Sequence, residues 1–242
     1  MLKILTKIYL NLRSPKRLTA NIFALVKRFT IYTLTVLLVS FLSLSLVVKY
    51  RKSGVPFRQL LMLDTALKFT RLLDKHEIDY VLLTGSLLGA VRQRAFAGRP
   101  RDFDLAIRKR DRQKLLDLIP RFKNQGLCVY ECTGRRDSAN GFILAFPNLL
   151  RFQDRWAEID IHTYVECAGG RWRWDRWDQD IPKISFEIDF PNGGSENYAE
   201  IFSNKFKIPG NWEDYLGAVF GEDWRTPDSK QFSWRTPATT NN

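Results

Sequence analysis

The stretch "RDFDLAIR" sets Asp102 and Asp104 one residue apart in a run of strand-forming residues. In an extended chain side chains alternate between faces, so both carboxylates point one way while Phe103 and Leu105 point the other. A second acidic strand, "EIDIHTY", puts Glu158, Asp160 and His162 on a common face by the same rule. Like charges this close raise one another's pKa, and a fold keeps them only where a cation or arginines offset the repulsion. If the two strands are neighbours, the converging carboxylates form an all-oxygen donor set suited to Mg²⁺ or Mn²⁺. Such ions clamp phosphoryl oxygens and stabilise the charge that moves during displacement at phosphorus. Arg99 and Arg101 offer the plainer alternative of ion pairs with the aspartates.

A phosphate needs donors as well as a cation. Upstream of the acidic pair, "DYVLLTGS" reads as a short buried strand that runs into a turn at Gly85 and Ser86, and "LLGAVRQR" can open a helix there. Backbone N–H groups at that turn and a serine hydroxyl make a phosphate-binding cradle beside the metal site. The elements that must position these groups follow from hydrophobic spacing. "FRQLLMLDTALKFTRLLDKHEI" (57–78) has helical spacing and "DRQKLLDLIPRF" reads as a further helix. "GLCVYECT", "GFILAFP" and "WAEIDIHTYV" read as strands. "NWEDYLGAVF" is a short helix closed by Gly221. Tyr215, Trp212 and Trp224 belong to the core, and Lys205 and Lys207 to a solvated strand face. This is an α+β pattern, a mixed sheet with flanking helices.

Thirty-eight Lys and Arg against 26 Asp and Glu give a formal charge of +12, which attracts phosphates or acidic lipid headgroups. Seven of the basic residues precede Phe29 (Lys3, Lys7, Arg13, Lys16, Arg17, Lys27 and Arg28), with no acid among them. Residues 29–48, "FTIYTLTVLLVSFLSLSLVV", then run without a charge, long enough to cross a bilayer core about 30 Å thick. Lys27–Arg28 and the basic residues from Lys49 to Lys52 flank that run as interfacial anchors. The expected organisation is a basic amphipathic segment (1–28), a transmembrane helix (29–48), a catalytic domain (53–230) and a C-terminal tail (231–242). Because the positive charge gathers about the apolar run and no nucleic-acid motif occurs, membrane lipid is an expected partner and nucleic acid is not. Cys128, Cys132 and Cys167 have neither the number of a disulfide framework nor the spacing of a zinc site.

Together these residues resemble the LicD and fukutin-related family, within the nucleotidyltransferase-fold superfamily. The family pattern Gly-Thr-Leu-Leu-Gly-Ala-Val-Arg matches Gly85, Ser86, Leu87, Leu88, Gly89, Ala90, Val91 and Arg92. The family's aspartate-rich strand matches Asp102, Phe103 and Asp104, and a later family aspartate matches Asp160. Its C-terminal Pro, acidic Tyr-Leu helix and Trp-x-x-Pro ending match Pro209, Tyr215, Leu216, Gly221, Trp224 and Pro227. Pro100 and Arg101 stand where the family often carries further aspartates, and Phe220 where it has Tyr. The resemblance implies transfer of a phospho-alcohol group, such as phosphocholine or ribitol phosphate, from a CDP-linked donor to a hydroxyl of a glycan or glycolipid. It implies that Asp102 and Asp104 hold the metal, that Gly85 and Ser86 bind a donor phosphate, and that Asp160 completes the metal shell or takes the acceptor's proton. Arg92 is then expected to neutralise charge on the leaving nucleotide, with Glu158 and His162 in reserve.

Two other functions share these features: an enzyme that adds NMP to its acceptor, and a non-catalytic membrane module that holds a phosphoglycan or anionic lipid. In the NMP-adding class the turn and the aspartates usually stand closer in sequence than Gly85 and Asp102 do here. Since CDP-linked donors are made in the cytosol, a bacterial protein of this kind is single-pass with its domain on the cytoplasmic face. A eukaryotic one faces the Golgi or ER lumen. The excess of positive charge before the span favours a cytoplasmic N-terminus.

Overall fold

The computed structural model describes residues 15–50, 55–98, 102–132, 142–147, 157–174, 187–191 and 197–227. Arg99, Pro100, Arg101, the first fourteen residues and the tail 231–242 lie outside them. The chain divides into two compact units, Met1–Phe57 and Arg58–Asn242.

The first unit is built on one helix, α1 (Pro15–Tyr50). It contains the apolar run expected at 29–48 and begins well before it, so much of the basic segment is continuous with the apolar helix. Val26–Tyr50 is 25 residues, long and apolar enough to cross a membrane. At 1.5 Å per residue it spans about 37 Å. Phe29, Leu37, Phe41 and Leu44 all stand exposed. Thr33 and Thr35 donate their hydroxyl protons to the carbonyls of Phe29 and Ile31 at 2.9 and 2.8 Å, and Ser45 to that of Leu42 at 2.8 Å. These three hydroxyls are thereby satisfied within the helix, as a hydrocarbon environment demands.

The second unit is the α+β body. Helix α2 (Phe57–Lys75) leads to a six-stranded mixed sheet of β1 (Tyr80–Leu82), β2 (Asp102–Arg108), β3 (Leu127–Cys132), β4 (Phe142–Pro147), β5 (Glu158–Glu166) and β6 (Trp172–Trp174). The spatial order is β1-β2-β5-β4-β3, with β6 paired to the end of β5. Only β2 and β5 run parallel; the other pairings are antiparallel. Helix α3 (Thr84–Gln93) connects β1 towards β2, α4 (Arg112–Asp117) and α5 (Ile119–Asn124) connect β2 to β3, and α6 (Trp212–Phe220) lies near the C-terminus. One face of the sheet carries the core: Phe103, Leu105, Ile107, Ile143, Ala145, Ile159 and Ile161 are fully buried. Phe103 sits between Phe96 and Phe206, with ring centroids at 6.1 and 5.4 Å, and Phe69 of α2 stacks on Phe122 of α5 at 4.7 Å.

Three local departures from the sequence pattern have physical causes. The helix expected over "DRQKLLDLIPRF" is split at Leu118, because Pro120 has no N–H to donate and crowds the preceding turn. A two-stranded hairpin, β7 (Asn197–Ile201) and β8 (Asn204–Ile208), turns at Phe202 and Ser203. Both turn residues have positive φ (49° and 66°) although neither is glycine, so the usual hairpin signal is missing from the sequence. Lys207 of β8 is packed in rather than solvated, with its ammonium 3.2 Å from Asp74 and 3.7 Å from Asp79.

The far end of β2 is fixed by Arg108, a buried cation with several partners. It donates to Asp79 at 2.5 Å and to the Pro191 carbonyl at 2.8 Å, and its guanidinium lies about 5 Å from the rings of Trp172 and Phe190. At the near end the constraint is steric. A Cβ on Gly89 would lie 2.4 Å from both the Ala95 carbonyl oxygen and the Ala97 nitrogen, backbone atoms that cannot swing away. A Cβ on Gly85 would meet nothing within 4 Å. Gly89→Ala is therefore expected to cost about 3 kcal/mol of stability or more through overpacking. Gly85→Ala should change it by less than about 1 kcal/mol. Chemical denaturation of the two variants, followed by circular dichroism, checks the contrast.

Candidate active site

The parallel pairing of β2 with β5 places Asp102 opposite Glu158, Asp104 opposite Asp160, and Ala106 opposite His162. Carboxylate oxygens of Asp102, Asp104 and Asp160 come within 4.8 Å of one another. Two strands distant in sequence thus bring together the three aspartates that the sequence singles out, at the end of the sheet where β2 and β5 begin. Asp102 is the most open of them; Asp104 and Asp160 are half-buried.

Asp104 is held from several sides. Its backbone N–H donates to the Ser86 hydroxyl oxygen at 3.0 Å, and its carbonyl accepts from the Leu83 N–H at 3.1 Å. The Thr84 hydroxyl donates to its Oδ2, while Nε2 of His162 lies 3.5 Å from its Oδ1. His162, itself buried, meets the ring of Trp174 on β6 edge-on at 5.2 Å. Thr84 has a φ of +43°, an uncommon conformation for a β-branched residue and a source of strain that surrounding structure must offset. Part of that support comes from α6. Tyr215, fully buried, is hydrogen-bonded to the Thr84 main chain. Burial raises the Tyr215 phenol far above its usual range, with Tyr164 and Asp104 adding to the effect, so its hydroxyl stays neutral.

Gly85 and Ser86 occupy the first turn of α3 rather than a turn ahead of it. That turn presents the unpaired N–H groups of a helix N-terminus next to the carboxylates. The Ser86 hydroxyl is buried and is engaged with β2. Arg92 stands apart. It lies in the last turn of α3, eight residues or about 12 Å of helix rise beyond Thr84, and its Nη1 donates to the Trp224 carbonyl at 3.3 Å. Glu158 joins the acidic group through its register with Asp102. The role of Thr84, and the contact that Tyr215 makes with it, are not legible in the sequence, which places Tyr215 in the core and in the C-terminal family pattern. A threonine at a strand-to-helix junction gives no sign of its φ, and nothing in the C-terminal helix marks Tyr215 as reaching the first turn of α3.

The donor set fits a hard divalent cation. It consists of carboxylate oxygens alone, and the Asp102 carboxyl is raised to about 6, first by burial and then by Asp104 and Glu158, with only partial relief from its own backbone hydrogen bond and His162. Among the described residues, no Lys or Arg forms an ion pair with Asp102 or Asp104; Arg99 and Arg101 lie outside them. A mixed sheet with an acidic pair on one strand, a third aspartate on its parallel neighbour and a helix N-terminus beside them defines an α+β fold of nucleotidyltransferase type. Residues 77–192 match the family model described as LicD/FKTN/FKRP, nucleotidyltransferase domain, so this part of the chain is similar to that family. The family is one of transferases of phosphate-linked groups. No curated protein matches the chain. Among solved structures, the antibiotic-resistance factor ANT(2'')-Ia is similar over 71% of this chain and 77% of its own, with 12% identity and a TM-score of 0.43. The lincosamide antibiotic adenylyltransferase LnuA, lincomycin-bound, is similar over 63% of this chain and 82% of its own, with 13% identity and a TM-score of 0.38.

Three outcomes follow from this geometry. A proton on Asp102 competes with a cation, so apparent Mn²⁺ affinity should fall about tenfold per pH unit below pH 6 and level off above pH 7. The raised carboxyl also makes the metal-free fold lose stability as pH rises from about 4, the unfolded value, through 6, a loss that bound Mn²⁺ removes. Calorimetric titrations and thermal melts across that range, with and without Mn²⁺, test both signs. Thr84→Val, which keeps the shape and deletes the donor to Asp104, should weaken Mn²⁺ binding by about tenfold, while Thr84→Ser should retain it.

Proposed function

We propose that the protein is a membrane-anchored transferase that moves a phospho-alcohol group, phosphocholine- or ribitol-phosphate-like, from a CDP-linked donor to a hydroxyl of a glycan or glycolipid. The observation that carries this reading is the meeting of Asp102, Asp104 and Asp160 beside the first turn of α3. Bound there, Mg²⁺ or Mn²⁺ would supply the positive charge that neutralises a pyrophosphate and stabilises the departing nucleotide.

The chain's own groups do the rest. Asp102, Asp104 and Asp160 furnish the oxygens that hold the cation. The N–H groups of Gly85 and Ser86 bind a non-bridging phosphate oxygen, favoured by the helix dipole. The acceptor hydroxyl forms its bond to the phosphorus bearing the alcohol as the bond to the CMP oxygen breaks, and its proton passes to the Asp160 carboxylate. Thr84 and His162 fix the Asp104 carboxylate so that little reorganisation is needed in the transition state. Arg92 serves as the fastener between α3 and the Trp224 segment; its contact with the Trp224 carbonyl supports that role over one at the leaving nucleotide.

Helix α1 anchors the body in a single pass, and the body faces whichever compartment supplies the donor: the cytoplasm in a bacterium, the Golgi or ER lumen in a eukaryote. Protease protection in sealed vesicles reads the orientation. The decisive experiment incubates the full-length protein in detergent with Mg²⁺ or Mn²⁺, a panel of CDP-alcohols and candidate glycan acceptors. CMP release together with a phospho-alcohol on the acceptor is expected; NMP attached to the acceptor would overturn the assignment. Asp102→Asn and Asp104→Asn should each lower turnover by roughly a thousandfold, about 4 kcal/mol, with the circular dichroism spectrum unchanged.

A further inference from the structure

The face of the sheet that carries the aspartates continues beyond them. Asp160 is in register with Leu144 of β4, and Leu144 with Tyr130 of β3. Phe146, two residues along β4, shares that face, and its ring meets Tyr130 edge-on at 5.6 Å and 76°. Leu144 is buried and Phe146 half-buried, whereas Tyr130 is 42% exposed. Among the described residues of the body, Tyr130 and Tyr198 are the exposed large hydrophobic side chains, and Tyr130 is the one in line with the acidic cluster.

We infer that Phe146 and Tyr130 form the stacking platform for the nucleobase of a nucleoside-phosphate donor whose phosphates sit at Asp102, Asp104 and Asp160. The inference rests on the phosphoryl-transfer reading above and adds the residues that recognise the nucleoside. Distance supports it. The pair lies one to two strand spacings from Asp160, about 5–10 Å, which is the reach of one nucleoside between its phosphate and its ring. Chemistry supports it too, since the exposed part of Tyr130 gains by covering apolar surface with a flat, neutral ring. Trp174, the half-buried aromatic on the other flank, already meets the edge of His162.

The test compares CMP with ribose 5-phosphate, which keeps the sugar and phosphate and lacks the base. Both are titrated by calorimetry into the full-length protein in detergent with Mn²⁺ present. The wild type should bind CMP more tightly. Tyr130→Ala, on the exposed side, and Phe146→Leu, which keeps apolar bulk without a π-face, should each weaken CMP by about tenfold and leave ribose 5-phosphate unchanged. CMP affinity unchanged in both variants would overturn the platform while leaving the phosphate site standing. So would a parallel loss for both ligands. Failure of the wild type to bind either ligand would overturn both this assignment and the transfer reading beneath it.

Discussion

Three carboxylates a few ångströms apart repel one another, and the parallel pairing of β2 with β5 requires them to meet. That register is specified from the opposite face of the sheet. Phe103, Leu105, Ile159 and Ile161 are fully buried, and a slip of one residue would turn them to the outside and drive Asp102 and Asp104 into the core. Burying each large apolar side chain contributes about 1.5–3 kcal/mol, so the apolar face can impose an arrangement that the charged face alone would reject. Burial and the neighbouring Asp104 and Glu158 raise the Asp102 carboxyl to about 6, the electrostatic cost of that arrangement. Fold stability and site geometry are thus one constraint seen from the two sides of a sheet.

Around that constraint the structure adds a supporting layer. Asp104 is gripped through its main chain by Leu83 and Ser86 and through its side chain by Thr84, with His162 alongside. Thr84 is held in a strained conformation, and Tyr215 of α6 braces its main chain. Arg92 ties the other end of α3 to Trp224, whose ring stands edge-on to Trp212 of α6 at 6.1 Å. Residues after 192, beyond the span of the family match, therefore reach both ends of the helix that carries the glycine motif. The similarity between the C-terminal "WEDYL" stretch and the family's pattern acquires a physical content: that segment fixes α3, and α3 fixes Asp104.

Much of this was legible in the sequence because period-two alternation survives in short strands. Asp102 with Asp104, and Glu158 with Asp160 and His162, could be put on common faces from spacing alone. That the two strands are adjacent, parallel and in matching register could not, since it depends on contacts between residues more than fifty positions apart. Local conformation was lost where residue type and backbone disagree. Thr84, Phe202 and Ser203 take positive φ without being glycine, so they carry no turn signal. Ser86 looked like a phosphate ligand because hydroxyls often are; its burial and its bond to the Asp104 N–H became visible only once β2 was laid beside α3. The need for glycine at position 89 was equally hidden, because it arises from the backbone of residues 95–97 folding against the helix.

The overall charge sharpens the logic of the site. The excess of positive charge lies mostly in and around α1, whereas the residues at the centre of the candidate site are acidic and would repel a pyrophosphate at contact. A pyrophosphate can stay there if a divalent cation and the α3 N-terminus together reverse the local sign. An acidic cluster serving only as a solvated surface would have no reason to be seated on a register that forces it together, nor to have one member bonded by a threonine in a strained backbone conformation. The stored strain sits at the β1–α3 junction with the concentrated charge beside it, where a divalent cation can relieve the charge and the α6 contacts hold the strain in place.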